Sequence, residues 1–375
     1  MRGQEEKQAS MLALISPASI VPEGHPLRAI KARADAALKE LSPVFEEMYA
    51  ATGRASTPPE TLLKAQLLIA LYTVRSERQF CEQLAYNLLF RWFLDMDMTS
   101  PPFDATTFTK NRDRLLKHDV SGRFFREIVG QARAEGLLSR EHFSVDGTLI
   151  EAMASTKSFT PKGDRNDDDK KPGAGGGNAK QRRKLKRSRN SWKDFSGTKR
   201  SNETHASTTD PEALLARKGN GREAKLQFAA HALMENRSGL LVDFRVTQAT
   251  GTAERDAAAE MLQALPGGYP VTVGADRGYD TKDFVATCRE IGATPHVAQN
   301  ANERRRSAID GRTTRHAGYS VSQRSRMFIE SIFGWSKTTA GLRRTRFKGR
   351  ARTQMYVDIV GAAYNLLRMT KLVTT

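Results

Sequence analysis

At residue 142 the hydrophobic period of this chain changes, and that change limits the folds open to it more than any other feature. Upstream, apolar residues recur at helical spacing over Leu27–Ala50, then at Leu62, Leu63, Leu67, Leu68 and Leu71, then at Phe80, Leu84, Leu88 and Phe93. Downstream, Phe143, Val145 and Leu149 alternate with Ser144, Asp146 and Thr148, the period of two that a strand requires. Leu226–Met234 and Leu240–Thr247 read as two more strands, joined through the turn Glu235-Asn236-Arg237-Ser238-Gly239. Glu254–Leu265 is helical; Val271, Val273 and Ala275 alternate again; Asp280–Ile291 is helical; Thr294–Val297 is a last short strand. This order predicts a mixed five-stranded sheet flanked by helices, behind an all-helical N-terminal part. The fold class is therefore mixed, α+β with α/β character.

The helical part carries its own start and stop signals. Thr57-Pro58-Pro59-Glu60 and Ser76-Glu77-Arg78-Gln79 both follow capping-box logic, the second opening a helix that runs on through Phe93. Pro101-Pro102 stops the chain, and Asp104 can cap a helix from Thr106 to Leu116. Short helices with tight breaks suit a helix-turn-helix unit or a plain bundle alike. Residues 1–135 are thus expected to form a helical domain that binds DNA or dimerises, and residues 140–375 the sheet domain. Residues 157–223 interrupt that domain. Asp167-Asp168-Asp169, Gly175-Gly176-Gly177 and the basic run Arg182–Arg200 are poor in apolar side chains and predict a mobile insertion.

Charge narrows the partners. Against 42 Asp+Glu stand 60 Lys+Arg, a net charge of +18, which favours an extended polyanion because each neutralised phosphate releases a counterion. A hydrophobic content of 39% excludes wholesale disorder. The most apolar stretch, Leu62–Val74, contains Lys64 and Gln66 and falls short of the roughly 20 apolar residues of a membrane span. The opening MRGQEEKQAS lacks the order of a signal peptide, and Cys81 and Cys288 cannot build a disulfide framework, so the cytoplasm is the expected compartment. The 7 histidines show no zinc spacing. Gly173–Gly177 is followed by Asn178-Ala179-Lys180, with no phosphate-loop signature, so no nucleotide cofactor is expected.

Three carboxylates stand out. Asp146 lies on the polar face of its strand, and Asp276 ends its strand opposite Val271, Val273 and Ala275; Gly147 and Gly278 lie close behind them. Neighbouring carboxylates repel unless a proton or cation neutralises them. Either acid alone could simply cap a turn. The third element is a helix expected from the capping box Ser320-Val321-Ser322-Gln323 to Gly341. At 100° per residue, Arg326, Glu330 and Lys337 share one stripe, while Met327, Phe328, Ile332 and Trp335 cover the side expected to pack on the sheet; Phe333 is the misfit. Glu330 is a lone acid among Arg324, Arg343, Arg344, Arg346, Lys348, Arg350 and Arg352. A metal ligand beside a DNA track explains it better than a surface ion pair worth a few tenths of a kcal/mol.

The segments FSVDGTLIEAMASTKSF, GADRGYD and RSRMFIESIFGWSKTTAGLRRTRFKG resemble the catalytic blocks of DDE transposases. More narrowly they resemble the bacterial group named after insertion sequence five, whose N-terminal region STPPETLLKAQLLIALY…SERQFCEQLAYNLLFRWFL is similar. Gln323 stands where related transposases place a tyrosine. The resemblance implies a ribonuclease H-like domain in which Asp146, Asp276 and Glu330 are the catalytic acids and hold two Mg²⁺ ions, or Mn²⁺. Oxygen-only ligands suit such ions, and a pair of them suits in-line phosphoryl displacement. It further implies transposon inverted-repeat ends and target DNA as partners, a homodimer on that DNA, and a bacterial, nucleoid-associated protein. Arg326 and Lys337 would hold the DNA backbone, with Arg324, Arg343, Arg344, Arg346 and Lys348 as further contacts. A structure-specific nuclease or resolvase with the same carboxylates, and a non-catalytic DNA-binding derivative, are the alternatives.

Overall fold

The computed structural model describes residues 17–49, 56–97, 100–162, 200–219, 221–267, 270–300 and 306–373. Helices lead the chain: α1 (Pro17–Ile20), α2 (Pro26–Glu40), α3 (Ser42–Met48), α4 (Pro59–Leu71), α5 (Glu77–Leu84), α6 (Leu88–Phe93), α7 (Thr106–Lys117) and α8 (Val120–Ala134). Side-chain caps decide their breaks. Ser76 Oγ accepts from the Gln79 amide at 3.1 Å, as expected. Asn87 Oδ1 accepts from the Phe90 amide at 3.2 Å and starts a new helix, so the run expected as one helix to Phe93 is two, α5 and α6. Thr57 does not cap α4; Pro58 holds that position, with no side-chain bond. Phe80, fully buried, stacks on Phe90 at 5.5 Å and meets Phe108 edge-on at 6.2 Å, tying these short helices together.

The strands are β1 (His142–Glu151), β2 (Phe159–Pro161), β3 (His205–Ser207), β4 (Leu214–Ala216), β5 (Lys225–Glu235), β6 (Leu241–Gln248), β7 (Val271–Ala275) and β8 (Ala293–Val297). Among them run α9 (Ala253–Gln263) and α10 (Lys282–Glu290), and after them α11 (Gly311–Thr314), α12 (Ala317–Ser325), α13 (Ile329–Thr338) and α14 (Arg350–Val373). The five expected strands form one sheet in the order β6-β5-β1-β7-β8. β5 is antiparallel to both its neighbours, whereas β1, β7 and β8 are parallel. That is the ribonuclease H-like arrangement.

A sixth strand, β4, extends the sheet against the start of β5. It and the β2–β3 ribbon fall within residues 157–223, so the flanks of that stretch are built into the fold. Phe159 is buried against the His205 ring at 5.4 Å, and Asp210 accepts from the Gly349 amide at 3.0 Å. Two ring anchors and one buried acid outweigh the polar composition there. Asp167–Asp169, Gly175–Gly177 and all of the basic run except Arg200 lie outside the described residues.

The last helix joins the two parts. α14 packs on α8, α4 and α2 and also on β6, and one buried apolar cluster extends from Leu27 to Met369. Where α14 meets α8 the packing is tight, since a Cβ on Gly361 would lie 3.0 Å from the Phe125 ring. Among the described residues no helix is long and apolar enough to cross a membrane.

Asp358, buried on α14, accepts from Ser121 Oγ at 3.0 Å and from Gln354 Nε2 at 2.6 Å. Burial pushes its carboxyl up to about 7. Between about pH 4 and pH 7 the unfolded chain has already lost this proton while the folded chain keeps it, so folding stability falls as pH rises through that window. Asp358→Asn removes the loss and retains the hydrogen-bonding capacity. Its stability relative to the parent is expected to rise by roughly 2–4 kcal/mol from pH 4 to pH 7.5 in urea melts. A difference that stays constant with pH would refute this assignment.

Candidate active site

β1 and β7 pair only from His142–Ser144 to Thr272–Gly274. Beyond that point they part, because β1 continues along β5 and β7 along β8. Such a reversal of strand order opens a crevice at the carboxyl ends of parallel strands, where ligands of open sheets bind. Asp146 stands on β1 just past the last pair, and Asp276 comes directly after β7.

Both acids are oriented by backbone amides. Asp276 Oδ1 accepts from the Gly278 amide at 2.7 Å; a Cβ there would lie 3.0 Å from that oxygen, which accounts for the glycine. Asp146 Oδ1 accepts from the adjacent Gly147 amide at 2.8 Å. Alternation places Asp146 and Thr148 on one face of β1 and Gly147 on the other. On the first face, Lys337 Nζ of α13 donates to Thr148 Oγ1 at 2.5 Å. Arg326 lies in electrostatic reach of Asp146, and its buried Nε has no hydrogen-bond partner among the described residues.

The helix carrying these bases is not continuous. α12 and α13 are separated by a 3-10 turn at Arg326–Phe328. The tighter turn shifts the phase of α13 relative to α12. Met327 and Phe328, expected on the sheet, are consequently 52% and 58% exposed, while the misfit Phe333 is buried. α12 itself is pinned to the sheet: His296 Nδ1 and Ser322 Oγ are 2.7 Å apart, and Gln323 donates to the His296 carbonyl. A Cβ on Gly274 would come within 3.3 Å of the Ser322 carbonyl oxygen, so that glycine lets the helix backbone lie directly on β7.

On the opposite face of β1 lies an acid that sequence reasoning passed over. Glu254, in the first turn of α9, rests against Gly147, where a Cβ would be 2.9 Å from its Cγ and 3.0 Å from its Oε1. Burial first, then Asp276 and Glu254, push the Asp146 carboxyl up to about 6, against the Gly147 amide and Arg326. Glu254 is raised by burial and then by Asp276. The Tyr279 hydroxyl, on a side chain 1% exposed, has no partner among the described residues and is raised well above its ordinary value by burial, then by Glu254, Asp146 and Asp276.

Asp146 and Asp276 thus lie in electrostatic reach of each other, and Glu254, exposed at the start of α9, lies in reach of both. The structure leaves Glu330 outside this group, exposed at the start of α13, with no hydrogen bond or ion pair among the described residues. No three acidic, histidine or cysteine side chains converge at metal-binding separation among the described residues. What fits a hard divalent cation is the donor chemistry alone: Asp146 and Asp276 offer only oxygen, and Asp146 is partly desolvated. Of the other expected DNA contacts, Arg324, Arg343 and Lys348 are exposed or half-exposed. Arg344 and Arg346 serve the fold: Arg344 donates to the Ala152 and Met153 carbonyls, and Arg346 to that of Val74. A cavity of about 610 Å³ between α8, β6, α9 and α14 does not reach the carboxylates.

A family model described as a transposase DDE domain matches residues 138–366. The chain belongs to the DDE transposase family. Residues 16–114 match a second model, a transposase domain of the DUF772 type. Among solved structures, the piggyBac transposase synaptic complex with hairpin DNA is similar over 93% of this chain and 76% of that one, at 9% identity and a TM-score of 0.41. The Mos1 strand transfer complex is similar over 79% and 82%, at 10% identity and a TM-score of 0.20.

Proposed function

We propose that this transposase, of the insertion-sequence-five group, cuts the ends of a mobile element and joins their 3′-hydroxyls to target DNA, with Asp146, Asp276 and Glu330 as its acids. The observation that carries the reading is the meeting of Asp146 and Asp276, without a described cationic side chain ion-paired to either, where β1 and β7 part within the matched DDE region. These acids would hold two Mg²⁺ or Mn²⁺ ions, which when bound supply charge neutralisation at the scissile phosphate and an activated oxygen nucleophile.

The chain's own groups do the rest. The two glycine amides hold the aspartates in place, so that little reorganisation remains when DNA arrives. Arg326 and Lys337 border the Asp146 face and would grip the phosphates on either side of the cut. Glu330, four residues beyond Arg326 and exposed at the start of α13, would join the aspartates once DNA is bound. Arg324, Arg343 and Lys348 continue the track outward. The N-terminal helices read the element ends or hold a second copy of the chain, because two ends must be kept together for joining.

Asp146→Asn and Asp276→Asn are expected to reduce cleavage and strand transfer of end-containing duplexes to background while the proteins stay folded. Retained strand transfer by Asp146→Asn would defeat the proposal, and cleavage without any joining by the parent protein would indicate a nuclease instead. Lys337→Ala is expected to weaken binding of all duplexes alike and to lower the slope of log K against log salt by about 1. An unchanged slope would remove Lys337 from the phosphate contacts.

A further inference from the structure

Where the N-terminal helices meet the chain between α13 and α14 there is a cavity of about 210 Å³ that the reaction assigned above does not use. α4 contributes Gln66 to it, the start of α5 Ser76 and Glu77, α7 Arg112, and the chain leading into α14 Arg346. Two rings back the guanidinium groups: Arg112 lies over Phe347 at 4.8 Å and Arg346 over Tyr356 at 5.8 Å. Stacking of this kind holds a guanidinium by its face and leaves its N–H edge to bind something else.

The polar groups left over in this cavity are mostly donors. Gln66 is 5% exposed, lines the cavity, and has no hydrogen-bond partner among the described residues, although a buried amide needs one. Arg112 Nε is buried without a partner, while both Glu77 oxygens accept from Arg112 Nη2 at 2.6 Å. Arg346 gives one Nη to the Val74 carbonyl at 2.8 Å, and no described carboxylate ion-pairs with it. Ser76 Oγ accepts from the Gln79 amide at 3.1 Å and keeps its own proton to give. Two guanidinium groups thus share one carboxylate, which is already engaged. Water can partner the amide but does not offset the surplus positive charge. A compact oxyanion brings both the acceptors and the charge.

We propose that this cavity is a phosphate-binding site, with Gln66 and Arg346 as its principal donors. The forked edge of an arginine matches phosphate oxygens, and Arg346 lies between Arg343 and Lys348, beside the track assigned to DNA. The group bound is a phosphate of the DNA backbone or a free phosphate ion, which present the same oxygens. Either one would tie α4, α5 and α7 to the segment that enters α14. None of the carboxylates at β1 and β7 lines the cavity, so only the DNA source rests on the function proposed above.

The test is titration of the full-length protein with inorganic phosphate at constant ionic strength, followed by phosphorus nuclear magnetic resonance, with far-ultraviolet circular dichroism as the check of fold. The parent is expected to bind phosphate saturably. Gln66→Leu, which removes a donor without changing charge, is expected to weaken it by roughly 10–100-fold, the worth of one hydrogen bond to a charged group. Arg346→Gln is expected to abolish saturable binding; Arg346→Lys, which keeps the charge and loses the fork, is expected to retain part of it and serves should Arg346→Gln fail to fold. Asp146→Asn is expected to bind as the parent does. Ethylation of single DNA phosphates separates the two sources: a position whose ethylation weakens binding to the parent but not to Gln66→Leu identifies the DNA backbone, and its absence beside intact phosphate binding identifies the free ion. A parent that binds no phosphate saturably overturns the site, as do Gln66→Leu and Arg346→Gln proteins that bind like the parent. Loss of phosphate binding in Asp146→Asn would move the anion to the carboxylate crevice and overturn it equally.

Discussion

Like charges confined to one crevice set the terms for everything around Asp146. The acids meet only because β1 and β7 stop pairing after Ser144 and Gly274, so a feature of sheet topology becomes an electrostatic problem. The chain offers little to solve it. One amide each from Gly147 and Gly278, and the field of Arg326, oppose burial and mutual repulsion, and Asp146 is still pushed up to about 6. A fold that keeps such a local conflict does so at the expense of stability, and conflicts of this kind concentrate where function draws on them.

The surroundings hold the conflict in place. α12 is fixed to β8 through Ser322 and Gln323 and lies on β7 at Gly274, which positions Arg326. α13 is held to β1 by Lys337 on Thr148. The chain after α13 then pairs with the end of β1, the Glu151 amide donating to the Arg343 carbonyl at 3.1 Å and the Thr345 amide to that of Glu151 at 2.8 Å. α14 carries the chain onward into the core it shares with α2, α4 and α8. The N-terminal helices therefore share one packed core with the end of the strand that bears Asp146.

How much of this is legible in the sequence depends on whether the signal is local. The five strands announce themselves because alternation is a property of neighbouring residues, and Asp146 and Asp276 are readable as acids on the polar face of one strand and at the end of another. The break at Asn87 is harder: the apolar spacing runs straight through it, and only the cap bond to Phe90 shows that two helices share one period. The 3-10 turn at Arg326 is hidden in the same way, so Met327 and Phe328 read as core and lie outside. Glu254 is the least legible, because a glutamate in a first helical turn is ordinary in itself. Its meaning lies in a glycine on a distant strand, and that relation exists only once the chain is folded.

The excess of basic residues and the acidic crevice are complementary parts of one electrostatic arrangement. A net charge of +18 draws a polyanion from a distance, yet the phosphates it delivers are repelled at short range by the carboxylates they must reach. Under the proposed function, divalent cations held by the acids would remove that repulsion, and phosphate oxygens would complete the coordination that carboxylates leave open. Each partner would then raise the affinity of the other, and by linkage the two effects would be equal. Lys337 sits where the two meet. It is half-buried beside Thr148 and disfavoured as a cation, first by burial and then by Lys218 and Arg343. Under the proposed function, a phosphate placed beside it would relieve that strain, so the substrate would neutralise the basic side of the site as divalent cations would neutralise the acidic side.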